Sequence, residues 1–508
     1  MGFKEDADFA RFVSMGAVGT AAVADDLREQ HGHRPIELER YAMANKVWQT
    51  KVKRLRLPDL VCTRCGLRVE SRAKSKLGLV LSHSDARDRA WDDGGMRGAD
   101  LYVFLRADLS TFPPYVGQPF YFTTASLREA LDQAKRSAPK AASEGSEVTL
   151  TWPTWVPARS GTFAGVDEAD RLVCEWEDGS GYRYWQWRNW KDPRYVYLES
   201  GQPILADETI LAGVVSPPTD LSCPGDVWDL EASLASTNSS DRYSAIRAAG
   251  AADTTELTNS LASIVDGEDD WRIRLEAAAS LAMLDPGAWT DSILEIAHNV
   301  ELPEDVRIEA TFVLSELRTA EALDGLATVC APDSGCPSEI RAAAAWGLGQ
   351  GRIARPEALL PLMDDDDLVV RLHAVVALED LPSDVVEILL GWLSEGKTTR
   401  AATATHLLQR HHEVEALLTA YESGGVARLW AIRGLGALPE AEVRESAGTR
   451  LIGELEVALV PLWLGQNDWV RGEGQAGVDA LDIQKIRFDP HGPTSGNDEG
   501  HLWRPAHS

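Results

Sequence analysis

Lysine is scarce in this 508-residue chain: 11 lysines stand against 39 arginines. Acids outnumber bases by 79 to 50, for a formal net charge of −29 and a pI near 4.8. A surface this negative excludes general affinity for polyanions, so any nucleic-acid binding must be local. The arginine bias and the acidity fit a GC-rich genome or a salt-adapted proteome, and neither identifies a function. Cysteine is also sparse, with six residues. That density excludes a disulfide scaffold and makes a reducing cytoplasm the expected location. The N-terminus, MGFKEDADFARF, has no cationic segment followed by an apolar run, so a secretory signal is not expected. Asp6 stands where myristoylation prefers Ser or Thr. No apolar run approaches the length of a membrane span, so no membrane partner is expected.

The most informative segment is a basic island, KVWQTKVKRLRLPDLVCTRCGLRVESRAKSK, over residues 46–76. Ten Lys and Arg residues there surround two acids, Asp59 and Glu70. Two carboxylates isolated among so many cations suggest a divalent-metal site beside a bound phosphate backbone. Lys51, Lys53, Arg54, Arg56, Arg68 and Lys76 are the cations expected to contact nucleic acid.

The length suggests about three domains, and composition changes divide the chain further. Residues 1–148 read as an α/β domain. It has an Ala-rich helix over Met15–His31, a second helix over Ile36–Thr50, and a strand in KVKRLRLPDLVC. A hairpin at Cys65–Gly66 leads into LRVESRAK, and LGLVLSHS and ADLYVFLRA are further strands. SLREALDQAKRSA reads as a closing amphipathic helix. Residues 149–226 are rich in Trp and Tyr with frequent turn signals, as expected of a small all-β module. Residues 466–508 lack periodicity, and their end reads as a flexible tail.

Residues 227–465 contain an internal repeat. Arginine recurs at 242, 274, 307, 341, 371, 400 and 428. Three positions on stand Ala245, Ala277, Ala310, Ala344, Ala374, Thr403 and Ala431. Seven on stand Ala249, Leu281, Leu314, Leu348, Leu378, Leu407 and Leu435. A small residue and then a leucine at this spacing lie on one helix face, and the small residue lets a second helix approach closely. Seven units of about 30 residues imply an α-solenoid. VRIEATFVLSEL, IRAAAAWGLGQG and VRLHAVVALEDL resemble short HEAT-type repeats. Acids precede several of the phase arginines, which favours a structural ladder over phosphate binding. Asp364–Asp367 and the overall acidity point to a protein or basic-peptide partner for the helical region.

In the island, a two-residue hairpin loop at Cys65–Gly66 makes Asp59 and Glu70 diagonal neighbours. A Cys62–Cys65 knuckle loop shifts the register by two and sets Asp59 opposite Glu70. Both registers put the two acids on one face with Arg68, Arg72 and Lys74. Such a pair suits Mg²⁺ or Mn²⁺, and Lys74 or Arg72 could orient water or hold a phosphate.

Pro58-Asp59 followed by Glu70-x-Arg72-x-Lys74 resembles the PD-(D/E)XK nucleases of the restriction-endonuclease-like fold, over roughly residues 10–110. The resemblance implies a Mg²⁺-dependent DNA endonuclease, with Asp59 and Glu70 as metal ligands, Lys74 or Arg72 assisting, and Glu37 or Glu39 as a further acid. The family pattern is Glu-x-Lys, whereas Arg occupies position 72 here and the lysine comes two residues later. Fold analogy alone suggests restriction of foreign DNA. The alternative is a non-enzymatic HEAT-repeat scaffold whose basic hairpin binds nucleic acid.

Three smaller features remain. Cys62-x-x-Cys65-Gly66 is half of a zinc ribbon and needs His83, Cys174 or Cys223 to complete it; two reduced cysteines are the other reading. His83 with Asp85, Asp92 and Asp93 reads as a solvated loop beside the site. Arg183, Arg188 and Arg194 among the aromatics could stack on bases, although the aromatics equally suit a core.

Overall fold

The computed structural model describes residues 6–38, 55, 57–84, 91, 96–110, 114–142, 145–252, 254–267, 270–350, 355–378, 380–395 and 397–468. Glu39, Lys51, Lys53, Arg54, Arg56, Asp85, Asp92, Asp93 and the stretch from 469 lie outside those residues. The chain divides into two compact units. One comprises Arg11–Glu39 and Arg54–Leu284, and the other holds the described residues 6–10 and those from 285 to 468. No helix among the described residues is long and apolar enough to cross a membrane.

The first unit contains α1 (Asp6–Glu29) from Arg11 onward. The chain turns at Gly32, whose φ of +70° favours glycine, and the His33 N–H bonds back to the Leu27 carbonyl at 3.0 Å. The strands that follow are β1 (Pro35–Glu37), β2 (Leu60–Cys62), β3 (Arg68–Lys74), β4 (Val80–Ser84), β5 (Leu101–Asp108), β6 (Tyr115–Val116) and β7 (Phe120–Thr123). β1, β2 and β3 pair antiparallel in that order, β3 runs parallel to β5, and β6 and β7 pair with β5. β4 leaves this sheet and pairs with the strand Gly145–Thr151 in a second one.

The period of two in β3 gives the sheet its two characters. Val69 joins Leu60, Leu101, Val103 and Leu105 against Val23 and Leu27 of α1. The approach is close: a Cβ at Gly19 would lie 2.4 Å from that of Ala73. Arg68, Glu70, Arg72 and Lys74 project from the other face. There β5 contributes Tyr102 and Phe104 to a cluster with Trp91, Phe122 and Trp152.

Two helix expectations are corrected. Ile36 belongs to β1, because Pro35–Glu37 pairs with Leu60–Cys62, and most of the remaining 36–50 stretch lies outside the described residues. SLREALDQAKRSA is helical only within Thr124–Glu129, followed by a 3₁₀ turn at Leu131–Gln133. Lys135–Arg136 then forms a strand against Leu150–Thr151, so tertiary pairing overrides helical periodicity.

The aromatic segment forms two small antiparallel sheets. Phe163, Leu172, Cys174, Trp187 and Ile204 make its core, with Trp155, Trp176, Tyr184 and Trp190 packed around it. Trp155 stacks on Tyr184 with centroids 4.2 Å apart. Arg194 lies over Trp187 and pairs with Asp170 and Asp192, and Arg183 pairs with Asp167. Arg194 and most of the rings therefore serve the module's own packing, while Arg183, Arg188, Tyr182 and Trp185 are exposed.

Among the described residues about 16 helices follow, from Leu230 to Asp468. All seven phase arginines fall within the first turns of helices, and the residues three and seven positions on are buried in every case. In the first unit Ser239–Ala251 packs on Trp271–Leu284; in the second, Glu304–Leu317 packs on Ser338–Gln350 and that on Leu368–Ala377. The arginines cap their surroundings. Arg274 Nε donates to the Val265 carbonyl at 2.9 Å, Arg307 Nε to that of Ala297 at 3.0 Å and Arg428 Nε to that of Tyr421 at 3.3 Å. Each acceptor is at or near the C-terminal end of the preceding helix, where carbonyls lack intrahelical partners. The Asp364–Asp367 run is likewise used internally. Asp364 pairs with Arg400, buried Asp365 takes both oxygens to Arg341 at 2.9 Å, and Asp367 caps the next helix. Asp366 is the exposed member of the run.

Candidate functional site: a carboxylate row and a thiol cluster on one hairpin

Asp59 immediately precedes β2. The pairs Leu60↔Val69 and Val61↔Arg68 set the register of the knuckle loop, which places Asp59 across from Glu70. The Ser71 N–H donates to Asp59 Oδ2 at 2.7 Å and fixes that carboxylate against β3. Glu70 is mostly buried and pairs with the more open guanidinium of Arg72. Burial disfavours the charge on Arg72, and the negative charges of Glu70 and Asp59 more than offset it.

Lys74 Nζ donates to the Val80 carbonyl at 2.6 Å. Burial first, and the Arg72 charge second, lower its pKa from the ordinary 10.5 to about 8. Glu37, on β1, is pushed the other way. Desolvation and then the charge of Asp59 raise its carboxyl pKa, against the pull of Arg247. Arg247 comes from the helix Ser239–Ala251. Its Nε donates to the Glu37 carbonyl at 3.2 Å, and it lies 3.7 Å from buried Glu276, which accepts from Tyr243 at 2.8 Å.

The cations are distributed differently from expectation. Arg68, expected to contact nucleic acid, is almost completely buried and pairs with Asp241 of the same helix. It is a cation of the interior. Lys76 is exposed. His83 lies on β4 opposite Val148 and not in a loop.

At the other end of β2 is a second cluster. His33, Cys62, Cys65 and Cys223 offer ligand atoms that all lie within 4.8 Å of one another, a Cys/His grouping of the kind that suits zinc. Among the described residues it is the group of three or more His, Cys, Asp and Glu side chains that could hold a metal; Glu37, Asp59 and Glu70 are not gathered so tightly. The Cys62 and Cys223 sulfurs are 4.0 Å apart, and Cys65 Sγ is 3.5 Å from His33 Nδ1. The Cys65 thiol's hydrogen bond pushes the Cys62 thiol pKa down against burial, with help from His33 and the Arg34 N–H. Cys65 shifts upward for the reciprocal reason. Cys174 is buried in the aromatic module's core, which pushes its thiol up to about 12, and His83 lies elsewhere. Of the expected completing residues, Cys223 alone joins the pair.

His33 and Arg247 escaped the sequence reading. Reading 36–50 as a helix concealed the β1–β2 pairing that carries His33 toward Cys62. Nothing local connects Arg247 to residues some two hundred positions earlier. No known protein-family model matches the chain, and no curated protein matches it.

Proposed function

We propose that the first unit is a metal-dependent phosphodiesterase acting on DNA, with its reaction centre at Asp59, Glu70, Arg72 and Lys74. The observation that carries this reading is the register that sets Asp59, just before β2, across from Glu70 within β3, with Arg72 and Lys74 next on the same face. The donor set fits Mg²⁺ or Mn²⁺: Asp59 and Glu70 are hard oxygen ligands, and Mg²⁺ takes one or two carboxylates and keeps several waters. Bound there, the ion would stabilise charge developing on a phosphodiester. Asp59 is preset by its bond from Ser71. Arg72, at the more open end of its pair with Glu70, can donate to a phosphate oxygen. Lys74, with a pKa near 8, can accept a proton from attacking water when neutral. The desolvation of Glu37 beside Asp59 supports a third acid at the margin.

The helices extend the proposal. A HEAT-like solenoid would supply a surface to a protein partner, and the regular burial of the positions three and seven after each arginine supports that reading. Restriction of foreign DNA in the cytoplasm is the role consistent with a nuclease so equipped. The alternative, a DNA-binding hairpin without catalysis, is favoured by the Glu70–Arg72 pair, which balances the carboxylate internally. Plasmid cleavage with Mg²⁺ or Mn²⁺ separates the two. Wild-type cleavage that Asp59→Ala abolishes supports the enzyme. A wild type that cuts neither DNA nor RNA sinks it, and equal cutting by both proteins sinks the site assignment.

A further inference from the structure

We propose that His33, Cys62, Cys65 and Cys223 together hold one Zn²⁺ ion in a closed, structural Cys₃His site. This does not rest on the phosphodiesterase reading. Two of the six donor separations are close to those of a tetrahedron, and all lie within 4.8 Å. Zn–S bonds of about 2.3 Å and Zn–N bonds of about 2.0 Å require sulfurs about 3.8 Å apart and sulfur to nitrogen about 3.5 Å. The Cys62–Cys223 and Cys65–His33 separations are 4.0 and 3.5 Å. Four protein ligands leave no open coordination position, which is the mark of a structural site.

The surroundings are those of a metal ligand set. His33 Nε2 donates to the Leu221 carbonyl at 2.9 Å, which leaves the Nδ1 lone pair directed toward Cys65. The Arg34 N–H points at Cys62 Sγ at 3.3 Å, as suits a thiolate. Gly66, following Cys65, adopts φ +71°, and a Cβ there would meet the Trp228 ring at 2.8 Å. The knuckle is thus shaped both to turn tightly and to receive the later segment. That segment is tied down at several points: Cys223 N–H to the His31 carbonyl at 2.8 Å, Arg64 to Asp226, and Trp228 N–H to the Arg64 carbonyl at 3.1 Å.

The ion would therefore join three pieces of chain: the turn after α1, the β2–β3 knuckle, and the strap that leads from the aromatic module into the helices. Cys223 lies 161 residues beyond Cys62, so the ion closes a very long loop. It also fixes the knuckle end of the hairpin whose other end carries Asp59 and Glu70.

Elemental analysis of the full chain, purified with reductant and without added metal, should find about one zinc per chain. Wild type exchanged with Co²⁺ should show thiolate-to-cobalt charge transfer and the intense visible bands of tetrahedral cobalt. Cys223→Ser and His33→Ala should lose zinc or bind it at least tenfold more weakly, while Cys174→Ser retains it. If the variants fail to fold, the cobalt spectrum of the wild type still decides. Folded wild type that contains no zinc and takes up neither zinc nor cobalt overturns the proposal, as does a Cys62–Cys223 disulfide in protein kept reduced. None of these readouts involves cleavage, so failure here and failure of the phosphodiesterase are distinguishable.

Discussion

The two clusters on the β2–β3 hairpin use the same local geometry for opposite ends. At the knuckle, one imidazole and three thiols from three distant segments bring their donor atoms within 4.8 Å of one another. Three residues away along β2, hard carboxylates come from adjacent strands and line a face without enclosing it. Closure suits an ion that holds a fold together, and openness suits one that must meet a substrate. A hairpin can supply both because its knuckle gathers residues across a turn, whereas its strands only array them along a face.

The sharpest way to separate the clusters is Asp59→Ala. Loss of an interaction with several kcal/mol of transition-state charge should reduce cleavage on the order of 10³-fold. Zinc content should stay near that of the wild type, while loss of the bond from the Ser71 N–H should lower stability by about 1–2 kcal/mol. A variant that loses zinc as well would show the two ends to be one cooperative site.

Asp365→Ala tests the contrast from the helical unit. It removes the buried acid that pairs with Arg341. Leaving a largely buried guanidinium uncompensated should cost about 3 kcal/mol in denaturant unfolding, without altering zinc content or the cleavage rate of folded protein. A cleavage rate that falls in step would break the separation of the two units. Next in size is Gly19→Val, which forces a larger side chain against Ala73. Overpacking at that contact should cost about 2 kcal/mol, and calorimetry of wild type and variant measures it.

The smallest effect concerns Lys74. Its folded pKa of about 8 lies below the ordinary 10.5. Burial of the ammonium therefore penalises the native state fully below pH 8, and the penalty is relieved as pH rises from 8 to 10.5. Lys74→Met should be more stable than the wild type at pH 7 by about 1 kcal/mol, after allowing for the lost bond to Val80. The gap should shrink by pH 10; a gap equal at both pH values removes the buried-lysine account. In cleavage assays the same variant should lose a rise in activity centred near pH 8.

The helical repeat was legible because its signal is local and recurs seven times: Arg, then Ala, then Leu on one face. The hairpin was legible for the same reason, since a period of two puts Asp59, Glu70, Arg72 and Lys74 on one side in either register. What sequence could not supply was anything joined across a long stretch of chain. Arg68 read as a surface cation because its partner, Asp241, is 173 residues away. His33 escaped because the Ile36–Thr50 stretch carries helical periodicity although Pro35–Glu37 pairs as an edge strand. Composition likewise does not reveal that Arg341 and Arg400 return to meet Asp365 and Asp364.

The strand Gly145–Thr151 crosses residue 148, where the composition changes and a modular boundary looks natural. A piece of the chain ending there would strip β4 of much of its partner and leave an unpaired edge, and it would lack Cys223. The hairpin and the aromatic module thus belong to one compact unit. A cut at that boundary would therefore separate Cys223 from His33, Cys62 and Cys65 and β4 from most of its partner strand, so the compositional boundary is not a place where this unit can be divided.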